Sequence, residues 1–473
     1  MPKGSAVTDS YDFIVIGGGS AGYAGAATAS GLGLRVAVVE GGADVGGLCI
    51  LRGCMPSKTL LESAHRAEAI RRAGEFGLHA EFIAANGPAI RARKRDLIAG
   101  FADYRRGQLE DGRFEFIRGR AAFTDPHTIE VRLRDSGLRR VTARAFLIAT
   151  GSAVHCIDLP GLRETGFWTS DDVLDAETIP ASVIVLGGGA IALEVASFYA
   201  GVGSKVTVIQ RSGQVLKETD ADVAEAATEA LAARGIAIHL GTTLLRAERT
   251  DSGKRVVFDR GGVEMVADGD EIICALGRRP ALDGLAPDRA GIAVGRGGIG
   301  AEATQQCGAQ HLFAAGDVCS PHEVVHIAIQ QAEIAARNAA RVLGSLGGEL
   351  ERIDYRLKLF AVFTHPEIAS VGLTERECAE QGIAVRVAKY PFADHGKAMV
   401  RGETHGFVKL IVERDSRRIL GAACVGPEAS ELIHEIVVAM HFGATAGDLS
   451  RIPHYHPTLG EIWTYPAEEL ASD

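Results

Sequence analysis

Short, unbroken apolar runs recur along the first half of the chain, each stopped by glycines. Phe13-Ile14-Val15-Ile16 runs into Gly17-Gly18-Gly19, and Ile184-Val185-Leu186 runs into Gly187-Gly188-Gly189. Positions 14–40 and 184–210 align without a gap at an offset of 170, so that Gly31, Gly33, Val36 and Val38 match Gly201, Gly203, Val206 and Val208. Each copy predicts a buried strand, a glycine turn, a helix and a second buried strand, the opening βαβ unit of a dinucleotide-binding domain. The pattern changes toward the C-terminus. Gly406 to Val412 alternates, which predicts a strand with one covered face, and the apolar helix expected over Leu432 to Phe442 would cover such a sheet.

The glycines of each copy have separate tasks. Gly17 and Gly187 make the tight turn, and Gly19 and Gly189 let backbone N–H groups approach a pyrophosphate. Gly22 or Ala192 lets the helix pack closely on its strand. Ser20 and Ala21 open the first helix and Ala190 and Ile191 the second, so an anion sits at the positive helix end. One fingerprint is weak evidence, whereas two in register, each flanked by strands, are strong. The copies differ where the second strand ends. Glu40 places a carboxylate where ribose hydroxyls are accepted, but Gln210 stands in that position of the second copy, followed by Arg211 and Lys217. With no carboxylate to repel a 2′-phosphate and two cations to pair with it, NADPH is expected at the second site in preference to NADH.

Length and composition narrow the class. A chain of 473 residues suggests about three domains. Hydrophobic content of 47%, charged content of 23% and 58 glycines describe an α/β protein rich in tight turns. A net charge of −10 without any Lys/Arg run argues against nucleic acid as a partner. The first dozen residues lack the apolar core of a signal peptide, and the longest apolar stretch, Ala181 to Ile209, is interrupted by glycines, Glu194 and Lys205. No membrane segment is therefore expected, and the cytoplasm is the expected location.

Cys49 and Cys54, separated by Ile50-Leu51-Arg52-Gly53, are the main candidate chemistry. In a regular helix residues five apart are displaced by about 7.5 Å and point about 140° apart. Cysteines with Cα atoms more than about 7 Å apart cannot be bridged without backbone movement, so a bridge here needs a distorted turn, for which Gly53 supplies freedom. Labile disulfides of that kind are the catalytic ones, and the pair reads as a redox centre. A zinc site would need a second ligand pair at close spacing, and a structural staple would suit a much smaller domain. No metal is expected. Cys156, Cys274, Cys307, Cys319, Cys378 and Cys424 are scattered singly and read as small buried apolar side chains.

Further motifs follow in order. They are Gly46-Gly47-Leu48-Cys49 through Cys54-Met55-Pro56-Ser57-Lys58, Ala149-Thr150-Gly151, Glu194, Ala275-Leu276-Gly277-Arg278-Arg279-Pro280, and Thr304 with Phe313-Ala314-Ala315-Gly316-Asp317. Phe363-Thr364-His365-Pro366-Glu367 and His456-Pro457-Thr458-Leu459-Gly460-Glu461 close the series. Along nearly its whole length the chain thus resembles the FAD-dependent pyridine nucleotide-disulfide oxidoreductases, which include dihydrolipoyl dehydrogenase, glutathione reductase and mercuric reductase.

The resemblance implies an α/β fold with two Rossmann-like domains, FAD- and NAD(P)-binding, plus a C-terminal α+β dimerisation domain. The expected division is 1–155 and 281–348 for FAD, 156–280 for NAD(P)H and 349–473 for the interface. It implies FAD at the first fingerprint, with Gly47, Thr150, Gly151 and Gly316 lining it, Asp317 bonding the ribityl chain and the helix near His326 facing the pyrimidine end. Gly277 and Arg278 would line the second nucleotide. Lys58 and Glu194 would form an ion pair near the flavin, and a carboxylate on so apolar a helix does need a partner. Electrons would pass from NADPH or NADH through the flavin to the cysteine pair, with Cys54 against the flavin and Cys49 exchanging with a disulfide substrate. His456, oriented by Glu461, would act as base toward the cysteines of the opposite subunit, so the resemblance implies a homodimer. His454 has a lesser role at most.

The C-terminus, Ala467 to Asp473, lacks the cysteines of mercuric and larger thioredoxin reductases, and soluble transhydrogenases lack the pair at Cys49 and Cys54. Pro56-Ser57-Lys58 is similar to dihydrolipoyl dehydrogenase. Leu48 and Leu51-Arg52 depart from its pattern, and Arg52 would favour a thiolate by Coulomb attraction. The alternatives are a mercuric reductase-like enzyme, another NADPH-dependent reductase acting on a glutathione-type disulfide or a quinone, and a low-turnover flavin redox sensor.

Overall fold

The computed structural model describes residues 9–319 and 321–472. They form two compact units, each assembled from separated stretches of chain. Among the described residues the first comprises the stretch up to 56, then 93–154 and the stretch from 278 to 354, and the second comprises 57–92, 155–277 and the stretch from 355 onward.

The first unit is built on a seven-stranded sheet. Asp9–Ile16 pairs in parallel with Val36–Glu40 on one side and with Leu138–Ile148 on the other, and Ala309–Ala314 extends the sheet in parallel beyond Leu138–Ile148. Phe13, Ile14 and Val15 are wholly buried, which is why this strand reads as a continuous apolar run rather than an alternating one. The helix Ser20–Gly31 packs against Val325–Val342, whose buried face carries Ala332, Ala335, Ala336 and Ala339. Side chains this small let the two helices lie close over the sheet.

The second unit repeats the theme and adds another sheet. Five parallel strands run in the order Ala237–His239, Lys205–Ile209, Ser182–Leu186, Glu271–Cys274 and Trp168–Thr169. A three-stranded antiparallel sheet covers Thr242–Thr250, Gly253–Arg260 and Val263–Gly269. A five-stranded sheet formed by Leu359–Val362, Glu367–Gly372, Ile419–Gly426, Phe407–Glu413 and Val385–Pro391 is antiparallel throughout. The helix Ala429–His441 buries Ile433, Ile436 and Met440 against one face of that sheet. The alternation at 406–412 suggests a single covered face, but Lys409 and Ile411 on the opposite face are buried as well as Val408, Leu410 and Val412, so the strand is covered on both sides. Lys409 of this sheet is fully buried and is held by Asp220, Asp222 and Glu375 at 2.8, 2.8 and 2.9 Å. Lys409, together with Lys389 at 2.9 Å from Asp222, offsets part of the charge of that acidic cluster.

Candidate active site

The first glycine turn has the shape of a phosphate cradle. Gly17 lies at φ +112°, and a Cβ there would run into the carbonyl of Ala149. A Cβ on Gly22 would strike the carbonyl of Gly17, and one on Gly47 would strike Gly19. The helix Ser20–Gly31 starts from Gly19 with no side-chain cap and no acidic residue in its first turn, so its N–H groups are available to an anion. Glu40 takes the N–H of Gly18 at 2.7 Å and of Gly42 at 2.6 Å, which fixes its carboxylate beside the turn. Thr150 Oγ1, next to that wall, is buried with no hydrogen-bond partner among the described residues. A buried hydroxyl without a partner costs about 1–3 kcal/mol, which a polar ligand removes. The residues present therefore fit FAD.

In the same unit Ser152 Oγ donates to Asp317 at 2.6 Å and accepts from Arg278 Nε at 2.9 Å. Gly316 N donates to Gln331 Oε1 at 2.7 Å, and His326 is the second residue of the helix Val325–Val342. Arg278, expected at the second nucleotide, is thus held by Ser152 within the first unit. Nothing in the sequence around Ser152 signalled this bridge.

The cysteines occupy two helices joined by a break. Cys49 lies in Gly47–Leu51 and Cys54 is the first residue of Cys54–Arg71, and both are half-buried. Gly53 does not adopt a left-handed φ. Its missing side chain matters for a different reason, because a Cβ would stand 3.0 Å from Leu48 O and 3.3 Å from Cys49 Cα. The loop is therefore folded tightly back on Cys49. Cys54 at a helix N-terminus sits where a negative charge is stabilised, and Arg52 between the cysteines is exposed.

Arg105 and Tyr23 were not anticipated from the sequence. The Arg105 guanidinium stacks over the Tyr23 ring at 4.3 Å, and its Nε and Nη1 are buried without a hydrogen-bond partner among the described residues. Burial pushes its pKa down.

The second glycine turn mirrors the first. Gly187 lies at φ +116°, its position backed by the carbonyl of Ala275, and the helix Ala190–Val202 starts from Gly189 without a side-chain cap. Ile191 is exposed at that helix start. The Gln210 side chain packs on Gly188 and donates to Gln214 O at 3.4 Å. Arg211 is exposed, whereas Lys217 is paired with Glu218 at 3.4 Å. Lys217 thus has a carboxylate beside it, in a weak exposed pair, while the Arg211 side chain is exposed. These residues also fit a nucleotide pyrophosphate. Within the same helix, buried Glu194 takes Lys58 Nζ at 2.8 Å on both oxygens and Phe363 N at 3.1 Å, and Lys58 lies 4.5 Å from the centre of the Phe363 ring. Losing Lys58 leaves a buried, unpaired carboxylate, at a cost of about 3–5 kcal/mol.

His456 Nδ1 stands 3.0 Å from Glu461 Oε2, and its ring is 80% exposed. A carboxylate can only accept, so Nδ1 carries the proton of this contact and Nε2 is the nitrogen left over. His395, another residue without a sequence signal, is buried with Nε2 3.4 Å from the other oxygen of Glu461. Burial lowers its pKa, so it is neutral and does not compete for the carboxylate as a cation. His454 forms a separate dyad, with Nε2 2.7 Å from Glu435 and only 12% of the side chain exposed. A cavity of about 370 Å³ in the second unit contains none of these residues, and its Arg234 and Arg72 are matched by Glu68 at 3.0 Å and Glu75 at 2.8 Å.

The family described as pyridine nucleotide-disulphide oxidoreductase matches residues 11–332, and the dimerisation domain of the same family matches residues 360–467. The chain is 33% identical over 458 residues to dihydrolipoyl dehydrogenase of Geobacillus stearothermophilus, covering 96% of this chain and 95% of that protein. It is also 33% identical over 453 residues to mercuric reductase of Bacillus cereus, covering 95% and 70%. Among solved structures, LpdA from Mycobacterium tuberculosis superposes with a TM-score of 0.86 at 29% identity, covering 97% and 99%. The HOCl-induced flavoprotein disulfide reductase RclA from Escherichia coli gives 0.83 at 28%, also covering 97% and 99%.

Proposed function

The chain belongs to the pyridine nucleotide-disulphide oxidoreductases and is an FAD-dependent enzyme of that family, and we propose that it uses NADPH to reduce a small disulfide at Cys49. The observation that carries this reading is the cysteine pair folded around Gly53 next to the first glycine turn. FAD, when bound, relays an electron pair between a nicotinamide and sulfur. Gly17, Gly19, Ser20, Ala21, Gly22, Glu40 and Thr150 hold it, and Gly187, Gly189, Ala190, Gln210 and Arg211 hold NADPH. In domain terms 1–155 and 281–348 serve FAD, 156–280 the nicotinamide nucleotide and 349–473 a second copy of the chain. The match to the dimerisation domain supports a homodimer in which His456 of one copy serves Cys49 of the other. A disulfide that must cycle suits a reducing compartment, the cytoplasm.

His456 takes the proton of Cys49, whose thiolate attacks one sulfur of the substrate and forms a mixed disulfide. The departing thiolate takes the proton from His456. Cys54 then attacks Cys49, restoring the Cys49–Cys54 bond and releasing the second substrate thiolate, which is protonated from water. Glu461 positions the imidazole and stabilises its cationic form.

Anaerobic titration with NADPH tests the reading. A two-electron-reduced protein with a long-wavelength absorbance band is expected, lost in Cys54→Ser and kept in Cys49→Ser. Persistence of the band in Cys54→Ser would overturn the assignment of the two sulfurs. His456→Gln should lower kcat at least about 100-fold while leaving reduction by NADPH intact.

Arg105 favours a second, narrower reading of the acceptor, an anionic disulfide of the glutathione type. Its unpartnered nitrogens beside Tyr23 match a carboxylate. Arg105→Leu should raise KM for glutathione disulfide about tenfold and leave KM for lipoamide unchanged. Equal effects on both substrates would remove this reading.

A further inference from the structure

Cys156 and Cys274 are not two isolated buried thiols, as their scatter in the sequence suggests. Ser152–Val154 pairs antiparallel with Arg278–Pro280, with Val154 opposite Arg278. Just beyond that ribbon His155 N donates to Gly277 O at 3.0 Å, which carries residues 155–157 alongside the end of the strand Glu271–Cys274. Cys156 is exposed and Cys274 is fully buried. The Cys156 side chain and the backbone N–H groups of Ile157 and Leu276 are polar neighbours of the Cys274 sulfur. Two thiols brought side by side, one reachable from solvent and one shielded, are the parts of a reversible disulfide.

We propose that Cys156 and Cys274 form a second dithiol, separate from Cys49 and Cys54, that closes to a disulfide when a hydroperoxide oxidises Cys156 and thereby weakens nicotinamide binding at the second glycine turn. In the first step the Cys156 thiolate attacks the terminal peroxide oxygen. The O–O bond breaks, Cys156 becomes a sulfenic acid, and the peroxide leaves as water or an alcohol carrying the electron pair. In the second step the Cys274 thiolate attacks the Cys156 sulfur, forms the S–S bond and expels hydroxide, which is protonated to water. The coupling follows from position. Cys274 is followed by Ala275, whose carbonyl backs Gly187 in the turn, so tying Cys274 to Cys156 restrains that wall. This consequence rests on the nicotinamide nucleotide using the second turn, whereas disulfide formation itself does not.

Burial lifts the Cys274 thiol to a pKa of about 11, with Cys156 adding to the effect. The Cys274 thiolate fraction, and with it the closure rate, therefore rises about tenfold per pH unit between pH 7 and 9.

Treating the FAD-loaded protein with hydrogen peroxide and mapping peptides without reduction tests the site. The expected result is a Cys156–Cys274 linked peptide that disappears with dithiothreitol. Cys274→Ser should instead leave a sulfenic acid on Cys156 that a dimedone-type reagent traps. Absence of the linked peptide from the wild type at both pH 7 and pH 9 would overturn the pair. For the coupling, oxidised wild type should show a KM for the reduced nicotinamide at least threefold higher, reversed by dithiothreitol, while Cys156→Ser treated identically should not change. A linked peptide with unchanged KM would overturn the coupling and leave the nucleotide assignment of the second turn standing.

Discussion

The two glycine turns share a backbone and part company in their side chains. Gly17 and Gly187 lie at φ +112° and +116°, each against a backbone carbonyl, of Ala149 in one case and Ala275 in the other. Each feeds a helix whose N-terminus has no side-chain cap. Yet the first turn is closed by the carboxylate of Glu40, which holds two backbone N–H groups, and the second by the neutral amide of Gln210 packed on Gly188. The first helix also sits closer to its turn, since a Cβ on Gly22 would strike Gly17 O, whereas Ala192 in the matching place is buried without a clash. The same backbone geometry, one that suits an anion at a helix N-terminus, thus ends in a carboxylate in one copy and in a neutral amide in the other.

Substitutions at matched positions give the sharpest tests of that difference. The largest effect is expected from Gly22→Val, where overpacking against Gly17 costs about 1–3 kcal/mol or more and displaces the helix start from the cradle. The purified variant should lack FAD absorbance, whereas Ala192→Gly should cost about 1 kcal/mol of stability and keep FAD fully. Next comes Gln210→Glu, which makes the second turn resemble the first. The ratio of kcat/KM for NADPH over NADH should fall by about 10- to 100-fold through repulsion of the 2′-phosphate. An unchanged ratio would show that coenzyme choice lies elsewhere.

Arg211→Ala should raise KM for NADPH about tenfold with little effect on NADH, the value of one charge-assisted contact. Lys217→Ala is expected to change either KM less than about threefold. That lysine is paired with Glu218 and both side chains are well exposed, at 68% and 78%, so its charge is partly offset and screened. Equal losses at Arg211 and Lys217 would contradict the inequality seen between them.

Much of the architecture could be read from local spacing. The two βαβ openings depend on residues near one another in the chain, whereas the pairing of His456 with Glu461 was implied only by the family resemblance. Gly53 shows a partial success. The distorted loop is present, but it depends on close approach to Cys49 rather than on an unusual φ. His395 against Glu461, the Ser152 bridge between Asp317 and Arg278, and the unpartnered nitrogens of Arg105 left no trace in spacing. Each joins segments that only packing brings together.

The amino-acid sequence by itself determined the two nucleotide turns, the cysteine pair and the family, because backbone sterics, hydrophobic periodicity and helix dipoles act within a few residues. Tertiary structure alone decided which charges are paired, which histidine faces solvent beside its carboxylate, and that Cys156 is a neighbour of Cys274 rather than a buried filler. Burial and charge pairing are properties of surfaces brought together from distant parts of the chain, and no local pattern encodes which surfaces will meet.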